Sequence, residues 1–406
     1  MRSDRTSQQP STTTAQSRRH LAVAPEPGSA RGFRARVRAH FSAWWPVWVV
    51  AVVSRMGVVI VGFLSQYAAT NRGITDVLPF ARSGTFVHYE DVVLRGYSLS
   101  NAYEFPLYPA MLSAAHGVGI PLTIASLLIS AICCIVGSVA MAVLGERYVG
   151  RTASTVAATY LLLWPTSHFF SLASTESVML LTSVAAVIFA LRGSTGGWLL
   201  AAPCAAACAL TRPPGALIGV VLLGIAIGQL MDGRLRRPAP LIAALAAGAS
   251  IPAAVFAFFW YLRNVTGDFQ AALHAQEQFG RSMSLAGPWA AVSGAVNSVR
   301  SGSIGPAFEL AAVALAVGML AVFALKSGGN RSERWGWVAF GVCSLLLPLS
   351  TGLVWQMPRF TMMILPVFWA VGIIGTRWKP LHAGLLVILP MALAFRVVFE
   401  VVGVHQ

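Results

Sequence analysis

The amino-acid sequence predicts an all-α, polytopic helical membrane protein, and three observations carry that expectation. Hydrophobic residues make up 56% of the 406 and charged residues only 11%. Apolar runs of about twenty residues, enough to cross a hydrocarbon core of about 30 Å, recur along the chain, while the alternating strands of a transmembrane barrel are absent. Beyond residue 42 no stretch is polar enough to form a separate soluble domain of ordinary size.

Taken in order, residues 1–41 hold eight Arg among Ser, Thr, Gln and Pro and contain no apolar run. That composition predicts a disordered, basic cytoplasmic tail, with Arg31, Arg34, Arg36 and Arg38 near anionic lipid. It is not a signal peptide, because the apolar segment that follows is too long and lacks a small-residue cleavage site. Residues 42–406 form the transmembrane domain, with spans expected near 43–64, 121–144, 152–169, 175–191, 197–211, 214–231, 239–262, 306–325, 335–352, 359–376 and 380–402. About eleven spans result, and Leu107 to Gly119, too short to cross comfortably, reads as a re-entrant or interfacial helix. Large outer loops are expected over about 65–120 and about 263–305. Trp44, Trp45, Trp48, Trp260, Tyr261, Trp335, Trp337 and Trp378 fall at span ends and read as interfacial belts.

A formal charge of +15 invites a nucleic-acid reading, but the cations lie in the tail and in short connections instead of on a basic face interleaved with aromatics. Orientation explains them better. With the N-terminus inside, Arg147, Arg151, Arg192, Arg234, Arg236, Arg237, Lys326, Arg331, Arg334, Arg377 and Lys379 all fall in cytoplasmic connections, as the positive-inside rule requires. The first large loop then faces outward, with Asp76, Glu90, Asp91 and Glu104, four of the chain's fourteen acidic residues. Ionisable groups beside a bilayer are expensive and usually functional. The five cysteines all lie in apolar segments, which implies packing and neither a disulfide framework nor a zinc site.

Several motifs fall on that outer face. Thr75-Asp76-Val77-Leu78-Pro79-Phe80 is followed by Gly96-Tyr97 and by Glu104-Phe105-Pro106-Leu107-Tyr108-Pro109. This resembles the first outer loop of GT-C membrane glycosyltransferases, which take sugar from a polyprenyl phosphate. Phe169-Phe170-Ser171 through Ser174-Thr175-Glu176-Ser177, then Thr211-Arg212-Pro213-Pro214-Gly215, then Met357-Pro358-Arg359-Phe360 resemble, in that order, motifs of the PIG-V-like mannosyltransferase group of that superfamily. One departure stands out: Gly84 and Thr85 occupy the positions where that group has Trp-Asp, leaving Asp76 upstream and Asp91 downstream as the alternatives for its catalytic acid.

What the resemblance implies is an inverting transferase of GT-C type, moving a hexose, mannose by the subgroup, from a polyprenyl-phosphate donor. The acceptor would be a hydroxyl of a glycan, lipid or protein on the outer face of a bacterial plasma membrane. The chemistry asks for matching residue types. A carboxylate within reach of the acceptor can remove its proton, and Asp76, or else Asp91, is the expected base. Arg212 and Arg359 are the expected donor-phosphate ligands, since a guanidinium fork holds two oxygens and stays charged near lipid. Snorkelling to headgroups is the bland alternative for both. Glu104, Tyr108, His168, Thr175 and Glu176 are expected to support them: Glu176 by holding Arg212 or capping its helix, Glu104 by orienting acceptor or loop. Arg55, deep in the first span, needs a partner, for which Glu176 is the expectation. No spacing marks a metal site, and a divalent cation is neither required nor excluded. Partners would be membrane lipids, donor and acceptor, and no nucleic acid. The rival readings are a lipid-linked-sugar transporter, which needs polar groups near the midplane, and a non-catalytic subunit of an envelope glycan complex.

Overall fold

The computed structural model describes residues 30–70 and 85–403, with side chains over 42–69 and 85–402. The chain divides into two compact units, Met1–Ala43 and Trp44–Gln406. In the first, the expected disordered tail is helical from Ala30, where α1 (Ala30–Thr70) begins. Residues 30–41 are rich in Ala and Arg, two of the best helix formers, and this outweighs their polarity.

In the second unit all regular structure among the described residues is helical. After α1 come α2 (Phe86–Arg95), α3 (Leu107–Gly117), α4 (Leu122–Val149), α5 (Arg151–Leu163), α6 (Glu176–Ala190), α7 (Thr195–Ala209), α8 (Ile218–Met231) and α9 (Pro238–Thr266). They are followed by α10 (Ala271–Glu277), α11 (Gly287–Arg300), α12 (Gly305–Lys326), α13 (Arg331–Leu349), α14 (Met357–Met362), α15 (Leu365–Arg377) and α16 (Lys379–Gly403). Six segments of the described residues are long and apolar enough to cross a membrane: Ser42–Ala69, Leu122–Val149, Pro213–Met231, Pro238–Thr266, Gly305–Lys326 and Lys379–Val402. Three shorter apolar helices, α6, α7 and α15, pack among them. The protein is an integral membrane protein. Val53, Ile60, Leu223, Ile242, Leu245, Val387, Ile388 and Phe395 all point out of the bundle, a surface that only lipid covers at low cost.

Two expected spans are broken. The segment 152–169 stops being α-helical at Leu163, because Pro165 lacks an N–H and drives Trp164 to φ −60°, ψ 142°. A short 3-10 turn, Pro165–Phe170, replaces its last turns. The segment 359–376 divides at Met363–Ile364 into α14 and α15, with Pro366 in the first turn of α15. Both breaks free backbone and side chains to face inward.

The first large loop is pinned on two sides. Phe86, Tyr89, Tyr108 and Leu112 pack with Leu122, Ala125, Cys133, Ala173 and Val178. Ala102 and Phe105 pack with Phe258, Leu262, Ala271 and Ala275. Hydrogen bonds add register, with Leu107 N–H donating to the Leu210 carbonyl at 3.0 Å and the Thr85 hydroxyl to the Ala173 carbonyl at 2.7 Å. Segments distant in sequence are thereby brought to one end of the bundle.

Candidate active site

Glu176 opens α6, where its carboxylate faces the positive end of the helix. It is fully buried and accepts from Arg212 Nη1, from Arg359 Nε at 2.5 Å and from Ser174 Oγ. Arg359 Nη2 donates to Ser174 Oγ at 2.9 Å, closing the network. Each arginine is held by local backbone. Arg212 is extended at φ −174°, ψ 162° because Pro213 follows it, and Gly215 packs so tightly on the Cys208 carbonyl that a Cβ there would collide. Arg359 lies in α14, entered through Gln356 at φ 65°, a left-handed conformation uncommon for a residue with a side chain. Glu309 holds that turn by accepting the N–H groups of Gln356 at 3.3 Å and Met357 at 2.6 Å. Aromatic faces complete the setting, with Arg359 3.9 Å from the Phe169 centroid and Arg212 5.3 Å from that of Phe360.

Above this network lies a cavity of about 590 Å³ lined by residues of the first loop, of the 270–283 segment and of the turns before α8 and α14. That volume suits a drug-sized ligand or a sugar with its linking phosphate. Arg212 and Arg359 line it, and so do Thr175 and Glu104. Two guanidiniums share one carboxylate, so the floor keeps one net positive charge, an arrangement fit for an anion.

Glu104 is 7% exposed and its carboxyl is pushed up to about 7 by burial, which outweighs a hydrogen bond from Tyr89 and the charges of Arg359 and Arg212. The Tyr97 hydroxyl donates to the Glu104 carbonyl at 2.9 Å, fixing its backbone. A carboxylate that exchanges its proton near neutrality, facing a cationic floor across a cavity, can take a proton from a bound hydroxyl.

The other sequence candidates are dispersed. Asp76 lies outside the described residues. Asp91 is absent from the cavity lining; it accepts from Asn101 Nδ2 at 2.8 Å and pairs with Arg95 at 3.1 Å, which ties down the turn after α2. Tyr108 is fully buried away from the cavity, its hydroxyl 3.3 Å from the Ser126 carbonyl and 3.2 Å from Ser130 Oγ. His168 is 1% exposed and points elsewhere, with Nδ1 3.1 Å from the Pro165 carbonyl and Nε2 3.9 Å from Glu400. Thr175 makes no side-chain cap on α6. Arg55 does not reach Glu176: it donates to the Leu162 carbonyl at 2.6 Å, to the Ser167 carbonyl, and to Ser167 Oγ and Ser171 Oγ at 3.1 Å each. The carbonyls freed by the break at Pro165 are a closer partner than the carboxylate. Among the described residues no group of three or more His, Cys, Asp or Glu is placed to hold a metal ion.

Sequence reasoning missed Tyr89, Arg281, Trp355 and Gln356, all of which line the cavity. Tyr89 immediately precedes the acidic pair that drew attention away from it. Arg281 sits in a polar connection with no motif around it, while Trp355 and Gln356 lie just before the Met357-Pro358-Arg359-Phe360 motif and outside its pattern.

Fold and site together define a helical integral membrane protein with a cavity at helix ends, floored by two arginines that share one carboxylate and faced by a second carboxyl. No protein-family model matches the chain, and no curated protein matches it. Among solved structures it is similar to ArnT from Cupriavidus metallidurans bound to undecaprenyl phosphate, at 16% identity and a TM-score of 0.48 over 82% of this chain and 61% of that one. It is also similar to the Archaeoglobus fulgidus oligosaccharyltransferase in complex with zinc and sulfate, at 10% identity and a TM-score of 0.43 over 87% of this chain and 53% of that one. The chain spans less than two thirds of the length of either.

Proposed function

We propose that the protein is a membrane glycosyltransferase of GT-C type that moves a hexose from a polyprenyl-phosphate donor to an acceptor hydroxyl. One observation carries the reading: Glu176, Arg212 and Arg359, from three motifs far apart in sequence, converge on one buried network under a cavity that Glu104 also lines. The motif order resembles the mannosyltransferase subgroup, which makes mannose the proposed sugar. The basic connections support a cavity on the non-cytoplasmic face.

In this mechanism Arg212 and Arg359 hold the donor phosphate, with Glu176 fixing both forks. The acceptor oxygen attacks the anomeric carbon opposite the phosphate, the carbon–oxygen bond to phosphate breaks with its electron pair on the phosphate, and the configuration inverts. Glu104 takes the acceptor's proton, while Asp76, in the same loop, is the second carboxylate to be tested for that role.

The test reconstitutes the purified protein with labelled polyprenyl-phosphate mannose and envelope lipids. Label moving to a new species is expected, and Glu104→Gln and Asp76→Asn compared side by side decide the base. Wild-type transfer retained by Glu104→Gln and lost by Asp76→Asn would move the role to Asp76. Label that crosses the membrane still attached to its carrier would instead identify a transporter.

A further inference from the structure

We propose that Arg281 is a third cation of this cavity, matched to the charge that appears on the phosphate as the sugar leaves. The inference rests on the transferase reading above. Arg281 lines the cavity on the segment after α10, half-buried, with its guanidinium 5.2 Å from the Trp355 ring centroid and Nη1 donating to Gln276 Oε1 at 3.3 Å. No carboxylate among the described residues pairs with it. Burial first, then the charges of Arg212 and Arg359, hold its pKa below the ordinary value, so the three cations feel one another. Gathering a third uncompensated guanidinium beside two others is costly unless an anion arrives between them.

Charge accounting gives the anion its class. With Glu104 ionised to act as base, Arg212, Arg359 and Arg281 against Glu176 and Glu104 leave one net positive charge, enough for a sugar phosphodiester, which carries one negative charge. When the acceptor oxygen bonds to the anomeric carbon and the bond to phosphate breaks, the diester becomes a monoester. The electron pair stays on the phosphate oxygen, the acceptor's proton goes to Glu104, and the phosphate gains a second negative charge. Neutralising Glu104 leaves the three guanidiniums against Glu176 alone, two net positive charges for the two on the phosphate, and without Arg281 there would be only one. Its stabilisation is therefore greater in the transition state and product than in the bound donor, and an interaction of that kind raises turnover instead of donor affinity. The Trp355 face keeps the guanidinium in the cavity without neutralising it.

The experiment has two arms, each run on wild type, Arg281→Gln and Arg281→Lys in the full chain. In the transfer arm Arg281→Gln is expected to lower kcat by about a hundredfold with little change in KM for the donor, and Arg281→Lys to recover most of the loss. In the binding arm a short-chain polyprenyl phosphate is compared with its methyl diester. Wild type should prefer the monoester above pH about 6, where its second proton is lost, and Arg281→Gln should bind the two alike. Unchanged kcat, a rise confined to KM, or a monoester preference retained by Arg281→Gln would overturn the proposal. A wild type that transfers nothing overturns the transferase reading alone, because the binding arm needs no turnover.

Discussion

At Glu104 burial and hydrogen bonding pull in opposite directions, and burial wins, leaving the carboxyl at about 7. The sign of its effect on stability follows. A carboxyl raised above its unfolded value stabilises the fold fully below about pH 4.5, and that contribution is lost as pH rises through about 7. Catalysis runs the other way, since only the ionised form accepts a proton. Transfer at saturating donor is expected to rise with pH through about 7, and Glu104→Gln to lose that inflection along with at least about a hundredfold in rate. A pH–rate profile of the two proteins checks this, and an inflection that survives the substitution assigns the base elsewhere. The motif residues Glu176, Arg212 and Arg359 were legible in sequence because each carries a charge beside a proline or at a span end. Tyr89 and Arg281 were not, because their roles come from tertiary packing alone.

Among the elements, the long apolar helices followed from hydropathy, with ends close to those expected, whereas the breaks at Pro165 and at Met363–Ile364 did not. Hydropathy counts apolar residues and is blind to where a proline divides them, so two continuous spans were expected in place of a helix with a 3-10 turn and a pair of shorter helices. The same blindness hid the role of Arg55, which ends up satisfying carbonyls that exist only because α5 breaks. Removing it takes the charged donor from the buried Leu162 and Ser167 carbonyls, and since Leu162 keeps the Ser167 hydroxyl at 2.8 Å the cost is roughly 1–3 kcal/mol in all. Arg55→Met is therefore expected to lower the thermal unfolding temperature in detergent well beyond an exposed control such as Arg95→Met. Equal melting of the two variants would show that the break is held by packing alone.

For the whole molecule, an apolar exterior and basic connections set a membrane fold whose motif-bearing ends gather around one cavity. The first loop illustrates what sequence could and could not say. Its concentration of acids was visible, yet Asp91 is spent on Asn101 and Arg95 while Glu104, the next carboxylate along, lines the cavity with the arginines. Only the packing of α2 and α3 against α4, and of Ala102 and Phe105 between them against α9, sorts them. The central claim is that an anionic lipid phosphate sits on the arginine floor. Equilibrium binding of a short-chain polyprenyl phosphate to purified wild type and Arg212→Gln tests it most directly, because Arg359 still pairs Glu176 in that variant and the fold is retained. Saturable binding weakened by about tenfold or more in Arg212→Gln is the expected result, the loss of one charge-assisted contact. Equal affinity in both proteins would contradict it.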